Sequence, residues 1–504
     1  TICSSSYPEE LYIEKQAEDW VSLTGDLEPN RGYLLLSKMD LWEPSWSAEE
    51  GFIAPWSGKT FQATAPMKYF QLVKEPTDTL VFIEKIQDAI EPVSGVPGSG
   101  RNGKFQIWRE NAHGVYDSSL TVHFTIGGTA VNGSDYATLM GPATIQAGYL
   151  VVEIEVVPYA DASEFDEDVT LTLQPVQPPT YFIKRAGASA TVTIYDPQPT
   201  FTVAVERPGG PIGIDYHPVD EALLISDYWW GFGIPRNFTR IKKVGGTVEC
   251  TPWSSVTNLW DEIKLTTVKS SAANFVLGDM FFGYKPESGN TRIGRVYRSA
   301  SPPNEVIAVM DWAILQNETS PVHGGLYIDQ TGLFNRDLLV VTGGGVEEGG
   351  RVWRITSNAD QTSNTKTVFA EIPNTHLEGV VSLPNDQQKY GPWAGKIVTG
   401  AERRLPVPLI YTIDTNGNVA DFAEGIAPED FDIIPAGQAL YCNDGEGGKI
   451  YKVPAAYFSE YVGDLLITQA GEVWNYPAVL LVLHWDGSHF VRKSFFPPEG
   501  VMFE

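Results

Sequence analysis

The sequence predicts an all-β protein. It reads as a small irregular segment at 1–80, an antiparallel β-sandwich at 81–199 and a β-propeller of about six blades at 200–504. Three observations predict this. Short runs alternating apolar and polar residues, broken by Gly, Asn, Asp and Pro, follow residue 80. From residue 200 the apolar runs restart in units of roughly 40–50 residues, the period of propeller blades. The 48 Gly, 35 Pro and 12% aromatic residues favour turns and strands over helices.

The totals bound the rest. A length of 504 residues is a prior for two to four domains, and 42% apolar content suffices for real cores. The formal net charge of −28 excludes a nucleic-acid partner, which needs a basic patch, and suits a surface that meets divalent cations. Cys3, Cys250 and Cys442 form no CxxC pair, so a zinc or thiol-redox site has no support. They allow at most one internal disulfide. No apolar run is long enough for a membrane helix. The chain starts at Thr1 without a basic-then-apolar leader, which leads us to expect a mature secreted product. Asn132, Asn237 and Asn317 stand in glycosylation sequons.

In the opening segment, Glu9–Trp20 reads as a short helix through Leu11, Ile13 and Trp20. Trp42, Trp46 and Trp56 then stand among Pro, Ser and Gly. A Trp-rich stretch of this kind is a cap on the next domain, or a glycan or subunit contact.

From 81 to 199 the alternation is clean at 104–109, 120–126, 151–157, 169–173 and 190–194. Strands so closely spaced indicate an antiparallel sandwich. The stretch Gly127-Gly128-Thr129-Ala130-Val131-Asn132-Gly133-Ser134-Asp135-Tyr136 resembles the GTA-x-x-GSDY loop of Calx-β domains. Gly103-x-Phe105-x-Ile107-x-Arg109 precedes it. Ile145-Gln146-Ala147-Gly148, Asp166-Glu167-Asp168-Val169-Thr170-Leu171 and Ala190-Thr191-Val192-Thr193-Ile194-Tyr195-Asp196 follow it. The resemblance covers about a fifth of the chain. It implies an immunoglobulin-like sandwich that holds calcium at one end, as in exchangers, integrin subunits and bacterial surface proteins. Calcium takes six to eight oxygens, so several loops must each supply a carboxylate. Carried over position by position, those would be Glu91, Asp135, Glu164, Glu167 and Asp196, with Asp161 in the same loop. Where calcium-tight members carry an Asp run, this chain has Asp196-Pro197-Gln198. On the bland alternative the domain is a spacer and Asp135 caps its own turn.

Asp196-Pro197-Gln198-Pro199 reads as a stiff linker. Beyond it, units begin near Ile212, Phe275 (a poorer copy) and Gly325, and a last one lies at 464–493. Between these, two stretches echo each other. His376–Ile413 and Pro428–Val453 each read as acidic residue, apolar run, turn, apolar run, acidic residue or Asn, turn, alternating run. We read them as adjacent blades. The architecture resembles the six-bladed, calcium-dependent gluconolactonase, paraoxonase and phytase-like group. In a propeller the start of each blade's first strand and the end of its second open on one axial face. Those positions carry Asp227, Glu378, Glu402, Glu429, Asp430, Asn443 and Asp444, with His323 and His376 nearby. Several carboxylates on one axis repel each other unless a cation neutralises them, and all-oxygen donors select calcium. Tyr228, Trp229, Trp230 and Phe232 read as a packing cluster at the same face or as a ligand platform.

The favoured expectation is an extracellular or cell-surface calcium-binding structural and interaction protein that meets protein or glycan partners and self-associates. The alternative is a calcium-dependent hydrolase of ester, lactone or phosphate substrates at the propeller axis, with His376 or Glu429 as base.

Overall fold

Strands account for nearly every regular element; among the described residues the single α-helix, α1 (Gln387–Tyr390), has four residues. The computed structural model describes residues 79–502 except 95, 97, 112–113, 162–164, 207–209, 228–237, 260–261, 271–273, 301–302, 344–349, 359–360, 402–407, 446 and 474–475. In 10–74 it describes the backbone of six strands. The chain divides into two compact units, Thr1–Pro197 and Gln198–Glu504.

The six opening strands are β1 (Glu10–Ala17), β2 (Trp20–Asp26), β3 (Gly32–Lys38), β4 (Ser47–Ile53), β5 (Lys59–Gln62) and β6 (Tyr69–Lys74). They form the sheets β1-β2-β5 and β4-β3-β6. This corrects two expectations, the irregular segment and the helix at 9–20. Leu11 and Ile13 alternate with Glu10, Tyr12 and Glu14 at period two, and β1 pairs antiparallel with β2 from Glu10↔Asp26 to Ala17↔Trp20. Cys3, Trp42, Trp46 and Trp56 lie outside the described residues.

Nine strands follow: β7 (Leu80–Gln87), β8 (Ala89–Ile90), β9 (Gly103–Glu110), β10 (Leu120–Gly127), β11 (Ala143–Ile145), β12 (Val151–Val156), β13 (Glu167–Gln174), β14 (Phe182–Ile183) and β15 (Ser189–Tyr195). They make two sheets, β11-β10-β13-β15-β8 and β12-β9-β7-β14. One core serves both: Val122, Leu171 and Val192 from the first, Ile83, Phe105 and Ile107 from the second. In β9 every second residue is buried, the signature of a strand with one face on the core. Arg109, near its end, donates to the carbonyls of Tyr116, Ser118, Gln146 and Tyr149 and so ties two loops together.

The second unit begins with β16 (Thr202–Glu206). Four four-stranded antiparallel sheets come next, each made by consecutive strands. The first is β17 (Pro211–His217), β18 (Ala222–Asp227), β19 (Phe238–Val244) and β20 (Thr247–Pro252). The second is β21 (Leu265–Thr267), β22 (Met280–Tyr284), β23 (Arg292–Ala300) and β24 (Pro303–Ile314). The third is β25 (Leu326–Ile328), β26 (Leu338–Thr342), β27 (Gly350–Ser357) and β28 (Asn364–Ile372). The fourth is β29 (Glu378–Ser382), β30 (Ile397–Ala401), β31 (Leu409–Ile413) and β32 (Val419–Phe422), with α1 between β29 and β30. The remaining strands are β33 (Asp430–Ile433), β34 (Leu440–Asp444), β35 (Lys449–Val453), β36 (Leu465–Gln469), β37 (Val479–Trp485) and β38 (Phe490–Phe495). They interleave. β33 pairs with β36 in the sheet β33-β36-β37-β38, while the hairpin β34-β35 takes β16 as its third strand.

The sheets stack through shared apolar clusters. In β26 all five residues are buried, because both faces are covered. Its Leu338 and Val340 join the cluster shared with the β21–β24 sheet, and Leu339 and Val341 join the one shared with the β29–β32 sheet. Each such side chain contributes roughly 1.5–3 kcal/mol by burial. The strands β34, β17, β21, β25, β29 and β33 pack side by side in that series. Cys250 and Cys442 are free thiols.

Candidate functional site

Among the described residues, acidic side chains crowd together in each unit. In the first unit the pairing brings three chain segments to one end. β8 runs parallel to β15 with Ala89 opposite Ile194, and Glu167 of β13 lies opposite the same Ile194. Glu91 just past β8, Glu167 at the start of β13 and Asp196 just past β15 therefore share an edge. Asp161 joins them: one oxygen each from Glu91, Asp161 and Glu167 lie within 4.8 Å of one another. Glu91 is 5% exposed, and burial, reinforced by Asp161, Asp196 and Glu167, pushes its carboxyl up to about 8. Four acidic groups crowded in this way keep their charge poorly without a counter-ion. An all-oxygen donor set fits calcium.

Asp135 behaves differently. Its Oδ2 accepts the Val131 N–H at 2.6 Å and closes its own turn, and its carbonyl accepts the Tyr159 N–H at 2.8 Å. It thus fastens the loop carrying Asp161 and spends its carboxylate locally. Glu164 lies outside the described residues.

In the second unit the charges gather where the first strands of consecutive sheets begin. Glu262 and Lys264 precede β21, His323 precedes β25, His376 and Glu378 open β29, and Glu429 and Asp430 open β33. Lys264 is buried, and its Nζ lies 3.0 Å from Glu429 Oε1 and 3.1 Å from Glu262 Oε1. His323 Nδ1 is 3.9 Å from Glu262 Oε2, and the rings of His323 and His376 are 5.7 Å apart. His376 Nε2 contacts Glu378 Oε1. Glu378 Oε2 is buried without a hydrogen-bond partner among the described residues. Burial first, then Glu429 and Glu262, push the Glu378 carboxyl well above the usual range, against the pull of Lys264 and His323. For Glu262, burial is outweighed by Lys264 and the two histidines, which hold it below its ordinary value. Asp430 is pushed up to about 6 by burial, with Lys264 opposing.

A bulge makes this convergence possible. The β29–β30 register shifts between Glu378 and Val380, and Gly379 takes φ 58°. A Cβ there would meet Asp430 Cα at 2.8 Å and Glu429 O at 3.0 Å. Glycine lets the backbone of β29 approach the start of β33, which brings Glu378 within electrostatic reach of Glu429.

The other expected axial residues hold the frame. Asp227 Oδ2 accepts the Thr239 hydroxyl at 2.5 Å. Asn443 donates through Nδ2 to the carbonyls of Pro211 at 2.7 Å and Ile212 at 2.5 Å, clamping the end of β34 onto the start of β17, while its own Oδ1 is buried without a hydrogen-bond partner among the described residues. Asp444 Oδ1 accepts the Gly447 N–H at 2.9 Å. Glu402, Tyr228, Trp229, Trp230 and Phe232 lie outside the described residues.

Sequence reasoning missed Glu262 and Lys264. The signal was the alternation through Ile263, Leu265 and Thr267. That signal is weak, because the strand it marks, β21, has three residues.

No protein-family model matches the chain, and no curated protein matches it. Among solved structures, trypsin-activated alpha-2-macroglobulin from Escherichia coli aligns at 10% identity over 98% of this chain, with a TM-score of 0.14. The chain spans 41% of that protein's length. At that score the likeness carries no argument about fold or function.

Proposed function

We propose that this chain is a secreted or cell-surface calcium-binding protein with a structural and interaction role. On this reading it joins a Calx-β-like sandwich to a six-bladed propeller. One observation carries the proposal: Glu91, Asp161, Glu167 and Asp196 converge at one end of the first unit, with Glu91 buried among the others. A bound calcium would neutralise that end and stiffen the loops between strands, the usual role of a cation at a domain end. The propeller reading is supported by the serial packing of the first strands, and by β16 pairing with β35 from far along the chain. Self-association and protein or glycan partners belong to the same reading.

The test is calcium titration of the full chain by calorimetry, followed by sedimentation with and without chelator. Wild type takes up calcium, whereas Glu91→Gln and Asp161→Asn lose most of that heat. Wild type without calcium uptake, or variants that bind as wild type does, would remove the basis of the proposal.

A second reading, calcium-dependent hydrolysis at the axis, is favoured by Glu378, whose buried Oε2 has no hydrogen-bond partner among the described residues while its Oε1 contacts His376. The orphaned buried Oε2 of Glu378 suits a cation there, and the His376–Glu378 pair suits proton transfer. Turnover of aryl esters or aryl phosphates by wild type, lost in Glu378→Gln with the melting temperature unchanged, would favour this reading.

A further inference from the structure

A cavity of about 550 Å³ lies among the first strands of the second unit. β17, β21, β25, β33 and β34 each face it, through Asp215, Thr266, Tyr327, Asp432 and Tyr441 among others. The volume is that of an ordinary small-molecule site. Its walls are largely apolar, with Ile214, Ile433, Leu440, Phe458 and Leu466 between the polar groups.

The polar groups divide into spent and unspent. Asp215 is spent. Its Oδ1 lies 2.6 Å from Lys269 Nζ and accepts the Tyr216 N–H at 2.8 Å. Its Oδ2 accepts the Thr267 N–H at 2.7 Å and hydroxyl at 2.9 Å. Lys269 is held first by Asp215, and Asp432 and Asp430 act on it from beyond ion-pair distance. Asp432, on β33, has no such partner. Its Oδ1 accepts the N–H of Ile433 at 2.8 Å, and no cationic side chain lies within ion-pair distance among the described residues. Its side chain is exposed to the cavity; desolvation by the enclosing walls raises its carboxyl, and Lys269 is the first influence opposing that. Asp430 shares that face of β33, two residues earlier, and its Oδ1 likewise accepts the next residue's N–H. Asp215, Asp432 and Lys269 together leave the cavity lining one net negative charge, and Tyr216, Tyr327, Tyr441 and Phe458 line it as well.

This distribution selects a ligand class by exclusion. An anion meets a lining in which two carboxylates, Asp215 and Asp432, outnumber the one lysine. A bare divalent cation needs six to eight oxygens and finds one available carboxylate between apolar walls. A neutral polyol leaves Asp432 without a counter-ion. A protonated amine with an apolar or aromatic body satisfies both the charge and the walls, and the rings add cation–π attraction. We propose that the cavity binds a small organic ammonium, with Asp432 as its counter-ion and the tyrosine and phenylalanine rings as its walls. This site is separate from the calcium site of the first unit, and either can exist without the other.

The test uses the full chain and three probes of one shape: 2-phenylethylamine, 2-phenylethanol and phenylacetate, each titrated by calorimetry. The amine binds at one site, and the alcohol and the carboxylate bind at least tenfold more weakly. Asp432→Asn weakens the amine at least tenfold. Lys269→Met acts in the opposite direction and tightens it, because it removes a like charge facing the ligand; general damage to the fold cannot produce that sign. The inference is overturned if no probe binds, if the alcohol or carboxylate binds as tightly as the amine, or if Asp432→Asn leaves amine affinity unchanged. It is also overturned if Lys269→Met weakens binding while melting as wild type does.

Discussion

In chelator, the first unit should become less stable as pH rises, and Glu91 sets the size of the effect. Its carboxyl is pushed from an ordinary 4.5 to about 8 in the folded chain. A raised folded value favours the protonated form, so the contribution is full below pH 4.5 and is lost as pH climbs to 8. A tenfold change in a proton affinity corresponds to about 1.4 kcal/mol, which makes the loss at most about 5 kcal/mol across the window. Screening by solvent near the loop ends brings the expected loss to about 2–3 kcal/mol. On the proposed reading calcium would reverse the effect by replacing the proton, and at a hundredfold excess over its dissociation constant it would add about 2.7 kcal/mol. The assay is amide hydrogen exchange of β8, β13 and β15 in the full chain, in chelator, at pH 5 and pH 8. After correction for the intrinsic exchange rate, opening free energies should fall by that amount between the two conditions. Glu91→Gln, which cannot ionise, should flatten the slope and abolish the gain on adding calcium. A wild-type chain with no pH slope in chelator, or a glutamine variant that calcium stabilises as strongly as wild type, would refute the reasoning.

Three further outcomes follow from the second unit. Arg295→Met strands Asp279, which is 2% exposed and paired to Arg295 at 2.7 Å; unfolding should be easier by about 3–5 kcal/mol at pH 8. Asp279 already sits at about 6, so the cost should shrink at pH 5, where the stranded acid takes a proton; thermal melts at the two pH values check this. Lys264→Met leaves Glu262 and Glu429 without their shared ammonium and should also cost about 3–5 kcal/mol near neutral pH, again with relief in acid. Gly379→Ala forces a Cβ at φ 58° against the backbone of Asp430 and should cost about 1–3 kcal/mol in chemical denaturation.

The all-β class was legible because its signal is local. Phe105, Ile107 and Arg109 alternate, and β9 carries that alternation into burial. The runs Leu338–Thr342 and Ile397–Ala401 lack alternation, and all five residues of each strand are buried because both faces are covered. The acidic end of the first unit was partly legible: Glu91, Asp161, Glu167 and Asp196 do meet, whereas Asp135 turns its carboxylate onto its own loop. Lys264 was not legible as a site residue. A lone lysine beside a three-residue strand has no pattern of its own, and it matters because Glu429, 165 positions away, reaches it.

The echo between His376–Ile413 and Pro428–Val453 shows why partners are harder to read than strands. The first copy is one sheet, with β29, β30 and β31 in order. The second copy has the same local pattern but splits: β33 pairs with β36, and β34-β35 pairs with β16. Nothing in an apolar run states its partner, since register and pairing depend on which face finds a cover. The polar alternation of β33 does record its place. Asp430 and Asp432 stand on one face and buried Phe431 on the other, so β33 packs through Phe431 while Asp432 faces the cavity. The strand that breaks the repeat thus carries both Asp430, beside the Glu378 cluster, and Asp432, which gives the cavity lining its net negative charge. The interleaving allows this. Placing the β34-β35 hairpin in a sheet of its own sets Tyr441 of β34 and Asp432 of β33 on walls of one cavity, where a simple blade would have made them neighbours within a single sheet.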